Sequence, residues 1–152
     1  MRSTTCGFQN LGNITGGQRL AYIGPSLAVD IGFDASHHHA STTPPTPGAK
    51  GVSALVDTGA NQCCIDATLA MQLQLPIVNQ VKVSGVHGAA MANMHLAQIH
   101  VPSLNQTIWG HFIGADLTGG GQAHRAILGR DFLRNYKMTY DGPSGLVTLE
   151  GK

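Results

Sequence analysis

The chain has 152 residues, of which 42% are hydrophobic and 11% charged, and its formal net charge is +1. This length supports one domain with a real core and argues against two. The small net charge, with no cluster of lysine and arginine, argues against nucleic acid or an anionic membrane as a partner, since both select a concentrated basic face.

Residues 1–19 are polar and glycine-rich without periodicity, and a flexible N-terminal extension is expected there, with 20–152 as the folded domain. The stretch 20–33 alternates in part and is β-prone, which predicts a strand or two. Residues 34–50 carry prolines and a serine/threonine cluster and predict a long loop containing His37, His38 and His39. Residues 51–57 form a short apolar strand that ends in an acid. The segment 65–75 has room for one or two helical turns before Pro76. Several strands are expected between 77 and 113, followed by a glycine-rich turn at 119–121. Residues 123–135 run from an apolar strand into a short helix. The end, 137–150, reads as a hairpin around Asp141-Gly142-Pro143-Ser144-Gly145. Short strands with one or two short helices define an all-β class with a closed or partly closed barrel.

The apolar runs are short and interrupted, so none spans a bilayer, and the first residues lack the apolar core of a secretory signal. A cytoplasmic location is the expectation. Three cysteines, Cys6 and the adjacent Cys63 and Cys64, are odd in number and do not make a disulfide framework; reduced thiols are expected. A redox role for Cys63 or Cys64 stays open because they follow closely on the segment described next.

The segment Leu55-Val56-Asp57-Thr58-Gly59-Ala60 delivers a carboxylate at the end of an apolar run. Dry surroundings strengthen electrostatics at such a carboxylate. Thr58 is able to hydrogen-bond across a symmetric interface. Gly59 lacks a Cβ, so its N–H is free to approach a carboxylate closely. In Ile127-Leu128-Gly129-Arg130-Asp131-Phe132-Leu133, the glycine lets another chain segment pass close to the backbone. Taken alone, this second segment is an ordinary strand-to-helix junction.

Together the two segments resemble the retropepsin-like aspartic proteases. These carry Asp-Thr/Ser-Gly-Ala after an apolar strand and an Ile-Ile/Leu-Gly-Arg-Asp/Asn-x-Leu element several tens of residues later. A glycine-rich stretch, Val83-Ser84-Gly85-Val86-His87-Gly88-Ala89, stands where that family has its flap, and Gly24-Pro25 stands where its first strand often begins. The terminal hairpin looks more like the retropepsin domains of ubiquitin-shuttle proteins and bacterial homologues than the shorter viral enzymes. The resemblance spans about residues 20–150. It implies a retropepsin-like acid-protease fold and an aspartic endopeptidase without metal or cofactor, acting on a peptide or protein substrate as a homodimer. It further implies catalytic roles for Asp57, Thr58 and Gly59. Substrate contacts would fall to Ala60, Asn61, Gly85, Val86, His87 and Gly88, and structural support to Ile127, Leu128, Gly129 and Arg130. Many viral members have an acid where this chain has Asn61, so Arg130 is expected to meet Asn61 or a different acid.

This chemistry needs two carboxylates roughly 3 Å apart sharing one proton. Only one Asp-Thr-Gly is present, and Asp116-Leu117-Thr118-Gly119 reads as a turn, so the second carboxylate would be Asp57 of another copy. The predicted interface combines the Asp57 loops, the flap tips and the terminal hairpin, whose strand Leu146-Val147-Thr148-Leu149 would otherwise be a bare edge. The competing reading is a retropepsin-like domain that binds peptides without cutting them. A metal module built on His37-His38-His39 is weaker than a solvated polar loop, because metal sites draw ligands from fixed positions of a fold. The glycines at 12, 16 and 17 lack the Lys-Ser/Thr of a phosphate loop.

Overall fold

The computed structural model describes residues 1–85 and 88–152. In chain order the elements are β1 (Arg2–Thr5), α1 (Gly16–Ile23), β2 (Ser26–Gly32), β3 (Ala49–Val56), β4 (Cys64–Asp66), α2 (Ala67–Gln72), β5 (Ile77–Gly85), β6 (Gly88–Val101), a 3-10 turn (Pro102–Leu104), β7 (Gln106–Ala115), β8 (Ala126–Leu128), α3 (Arg130–Leu133), β9 (Tyr136–Asp141) and β10 (Leu146–Gly151).

Strands β2, β3, β8, β4, β7 and β6 lie side by side in that order, and β6 pairs back onto β2, which closes a barrel. Its interior is set by strand alternation: Leu27, Val29 and Ile31 of β2 are buried together with Ala54 and Val56 of β3 and Leu128 of β8. Strand β5 hangs outside the barrel as the far arm of a hairpin with β6, in register from Ile77↔His95 to Gly85↔Gly88. The mainly β architecture with a closed barrel expected from the sequence is the one observed.

The loop between β2 and β3 covers the barrel instead of hanging in solvent. Strand β6 is buried without alternation from Ala97 to Val101. The reason is the loop: Gln98 accepts the Asp34 N–H at 2.7 Å and donates to the Asp34 carbonyl at 3.0 Å. A buried amide on the outer face is tolerated because both of its ends are bonded. His37 is likewise buried against Trp109, which differs from the solvated loop expected for 37–39.

Residues 1–19 depart from the expected flexible extension. Strand β1 pairs antiparallel with β10 from Arg2↔Gly151 to Thr5↔Thr148. Helix α1 begins with a capping box, Thr15 accepting from the Gln18 N–H at 3.1 Å while Gln18 accepts from the Thr15 N–H at 2.9 Å. A Cβ on Gly145 would overlap the Gly16 backbone, and one on Gly16 would overlap the backbone oxygens of Phe8 and Ser144. The helix therefore docks on the terminal turn, and residues 20–23, expected as strand, belong to α1.

The terminal hairpin forms as expected, but its edge does not. In the three-stranded sheet β1-β10-β9, strand β10 is central, bonded to β1 on one side and β9 on the other. Leu146–Leu149 is thus covered within one chain, and the edges left are β1 and β9.

Candidate active site

Asp57 sits where β3 leaves the barrel. Strand β3 runs parallel to β8, with Leu55 opposite Ile127 and Val56 opposite Leu128. The ladder continues one step further, the Asp57 N–H donating to the Leu128 carbonyl at 3.0 Å. Val56 N–H donates to the Pro25 carbonyl at 2.8 Å, so β2 and β8 grip the strand from both sides just before the acid. The chain then turns, and the Gly59 N–H donates to Asp57 Oδ1 at 2.8 Å. This is the close approach expected of Gly59. It leaves the carboxylate half-buried, with Thr58 and Gly59 exposed at the turn.

The Gly-Arg-Asp element fixes the return of the loop. Arg130 N–H donates to the Ala60 carbonyl at 2.8 Å and Asp131 N–H to the Asn61 carbonyl at 3.3 Å. A Cβ on Gly129 would lie 2.7 Å from the Gln62 carbonyl carbon and 2.9 Å from the Ala60 oxygen, so only glycine admits the loop here. The Arg130 guanidinium donates to the Thr58 carbonyl at 2.9 Å. This corrects the expected side-chain partner: Arg130 holds loop backbone, and Asn61 contributes only its carbonyl. Asp131 accepts the Cys63 N–H on both oxygens at 3.1 Å and the Cys63 thiol at 3.1 Å.

The thiols are quiet. Burial and the neighbouring Asp131 push the Cys63 pKa up to about 12. Burial first, and then the charge of Asp57, raise Cys64 to about 11. Thiolate is the reactive form, so neither cysteine has the low-pKa setting of a redox centre.

Two hollows flank the site. One, of about 520 Å³, is lined by Asp57 and Thr58 together with Pro25, Leu55, Met138 and Tyr140. No local pattern signalled that Met138 and Tyr140 of β9 stand beside Asp57; the alternation of β9 marks a strand face without marking what it meets. The other, of about 630 Å³ and apolar, lies under the β5–β6 hairpin between Val83, Met91, Met71 and Ile113. It contains no residue of the Asp57 loop, and two strands, β4 and β8, lie between its Ile113 on β7 and the strand β3 that carries Asp57. Gly85 and Gly88 face each other at the hairpin end. Val86 and His87 lie outside the described residues.

Buried Asp66 organises the far side. It caps α2 through the Leu69 N–H at 3.2 Å, accepts the Thr118 N–H at 3.0 Å and pairs with Arg125 at 3.3 Å. Asp116 accepts the Gly119 N–H at 3.0 Å, so the Asp-Leu-Thr-Gly at 116–119 is a turn.

Residues 48–135 match the family described as "gag-polyprotein putative aspartyl protease", and the chain belongs to that family. The match contains both the Asp57 loop and the Gly129-Arg130 element. Among solved structures, the chain is similar to EIAV protease complexed with the inhibitor HBY-793, at 21% identity over 72% of this chain and 85% of that one, with a TM-score of 0.46. It is also similar to the Simian Foamy Virus (mac) protease in its solution structure, at 11% identity over 72% of this chain and 91% of that one, with a TM-score of 0.46. No curated protein matches the chain. No helix among the described residues is long and apolar enough to cross a membrane.

Proposed function

We propose that this chain is an aspartic endopeptidase whose active site is completed by a second copy, Asp57 of each chain supplying one carboxylate. The carrying observation is the Asp57 turn itself: a half-exposed carboxylate at a barrel strand end, its backbone clamped by Leu128 and one oxygen held by the Gly59 N–H. Two such carboxylates in contact share one proton, because like charges that close do not both ionise. The ionised partner takes a proton from the attacking water while the protonated one polarises the scissile carbonyl and then protonates the leaving nitrogen. The titration belongs to the pair.

Strand β9 supports this assembly. Of the two edges of the terminal sheet, β9 is the one whose side chains, Met138 and Tyr140, share a hollow with Asp57. A two-fold axis beside Asp57 would therefore bring β9 strands of both copies together, replacing the interface expected from Leu146–Leu149. The β5–β6 hairpin would act as the flap, with Gly85, Val86, His87 and Gly88 over substrate and Ala60 and Asn61 lining the floor. Ile127, Leu128, Gly129 and Arg130 would support the loop. The apolar hollow under the hairpin fits hydrophobic side chains of a peptide. A peptide library incubated with the protein and with Asp57→Asn, at several pH values, tests the reading. Cleavage by the parent alone, with a bell-shaped acid-side profile, supports it; binding without cleavage, or equal cleavage by the variant, overturns it.

A further inference from the structure

Away from Asp57, the loop after β2 and the ends of β6 and β7 enclose a polar cavity of about 460 Å³ that shares no residue with the hollow beside the acid. This volume falls in the range, about 300–1,000 Å³, of small-molecule sites. Its wall is donor-rich: Arg2 from β1, His39 and the hydroxyl-bearing stretch 41–43 from the loop, His100 from β6, and Thr107 and Trp109 from β7. No carboxylate lines it among the described residues. The one ion pair among them is Arg125–Asp66, so the Arg2 guanidinium has no acidic partner.

The hydrogen bonds show what the cavity takes. His37 has both nitrogens engaged, Nδ1 accepting the Trp109 indole N–H at 3.1 Å and Nε2 facing the Thr43 carbonyl at 3.2 Å. It is thereby withdrawn as a metal ligand, and its role is to pin the loop to β7. His100 is 94% buried by the 6% exposure of its surface, and its Nδ1 meets the Thr107 hydroxyl at 2.9 Å, leaving Nε2 with no protein partner among the described residues. A cation without a carboxylate, an uncommitted buried imidazole and a bank of hydroxyls match the acceptor-only oxygens of a phosphate or carboxylate. We propose that this cavity binds a small molecule through an oxyanion group, held by Arg2, His39 and His100. Because Arg2 belongs to the terminal sheet and His39 to the barrel loop, the ligand ties the N-terminal strand to the barrel.

Trp109 is the single tryptophan of the chain and stands in this cavity, its ring 4.9 Å from that of His39. Its fluorescence therefore reports occupancy directly. Inorganic phosphate and, separately, citrate are titrated into the intact protein with sodium chloride holding ionic strength constant. The expected result is a saturable change with at least one of them. Phosphate saturating at the lower concentration assigns a phosphate group, and citrate a carboxylate. Affinity should fall about tenfold in Arg2→Ala and in His39→Ala, the loss of one charge-assisted bond. The charge control Lys82→Ala, on the β5–β6 hairpin, should bind as the parent does. A response that never saturates, or that is the same in Arg2→Ala and His39→Ala as in the parent, overturns the proposal. This readout needs no peptidase activity, so it stands or falls apart from the protease reading.

Discussion

The guanidinium of Arg130 donates to the carbonyl of Thr58 at 2.9 Å, across 72 positions of sequence. This bond ties the strand-to-helix junction at the end of the barrel to the turn that carries Asp57, and it explains why the two segments occur together. Replacing Arg130 with Met should cost about 1 kcal/mol of stability, because water replaces the donor at an exposed carbonyl. The effect on peptidase turnover should be larger, about 100-fold, since small misplacements of a catalytic group are costly. Urea unfolding beside peptide cleavage checks the split; equal activity in variant and parent would show that the loop needs no such anchor.

Gly129→Ala should be severe. Its Cβ would stand 2.7 Å from the Gln62 backbone, and backbone has no rotamer by which to retreat. A loss of about 3 kcal/mol is expected from overpacking of this kind, read as a lowered urea midpoint with an unchanged slope.

Asp66 makes stability depend on acid. Burial pushes its pKa up, but the Thr118 and Leu69 N–H groups and Arg125 outweigh burial and hold it below the ordinary value of 3.8. The folded value is depressed, so the contribution is complete above 3.8 and is lost as pH falls through the folded value. Asp34 adds in the same direction, lowered to about 2 chiefly by the Ser36 hydroxyl and the Thr46 N–H. Asp66→Ala should cost about 3 kcal/mol at neutral pH, because it orphans buried N–H groups and the arginine, and the variant should lose part of the acid sensitivity. Urea midpoints measured from neutral to acid pH check both.

The thiols should resist reagents in the native state. Cys6 is raised by burial to about 11, and Cys63 and Cys64 to about 12 and about 11, from 9.0. Thiolate falls tenfold per pH unit of raised pKa, so a thiol-disulfide reagent should react about 100-fold more slowly with native than with urea-unfolded protein. Fast reaction of one native cysteine would reopen a redox role for it.

Much of the fold was legible because it follows from local rules. The strand ending at Val56, the helix stopped before Pro76, the hairpin at Asp141–Gly145 and the passage beside Gly129 each rest on residues whose backbone behaviour is specific. The N-terminal helix was also written in the chain, as Thr15-Gly16-Gly17-Gln18, a capping box hidden among glycines that read as loop. The docking of β1 was not legible, because Arg-Ser-Thr-Thr has little apolar periodicity and is held by its ladder to β10 and by packing against the 3-10 turn. The same long-range pairing placed β10 in the centre of its sheet. The partner of Arg130 escaped for a related reason: a backbone carbonyl carries no side-chain signature.

The central claim is that catalysis needs two Asp57 carboxylates from two chains. Its most direct measurement is peptide cleavage by parent protein unfolded in urea and refolded with a growing excess of Asp57→Asn chains, so that subunits mix. Mixed dimers hold one carboxylate, so activity per parent chain should fall steadily toward zero as the excess grows. Activity per parent chain that stays constant at every ratio would contradict the shared dyad.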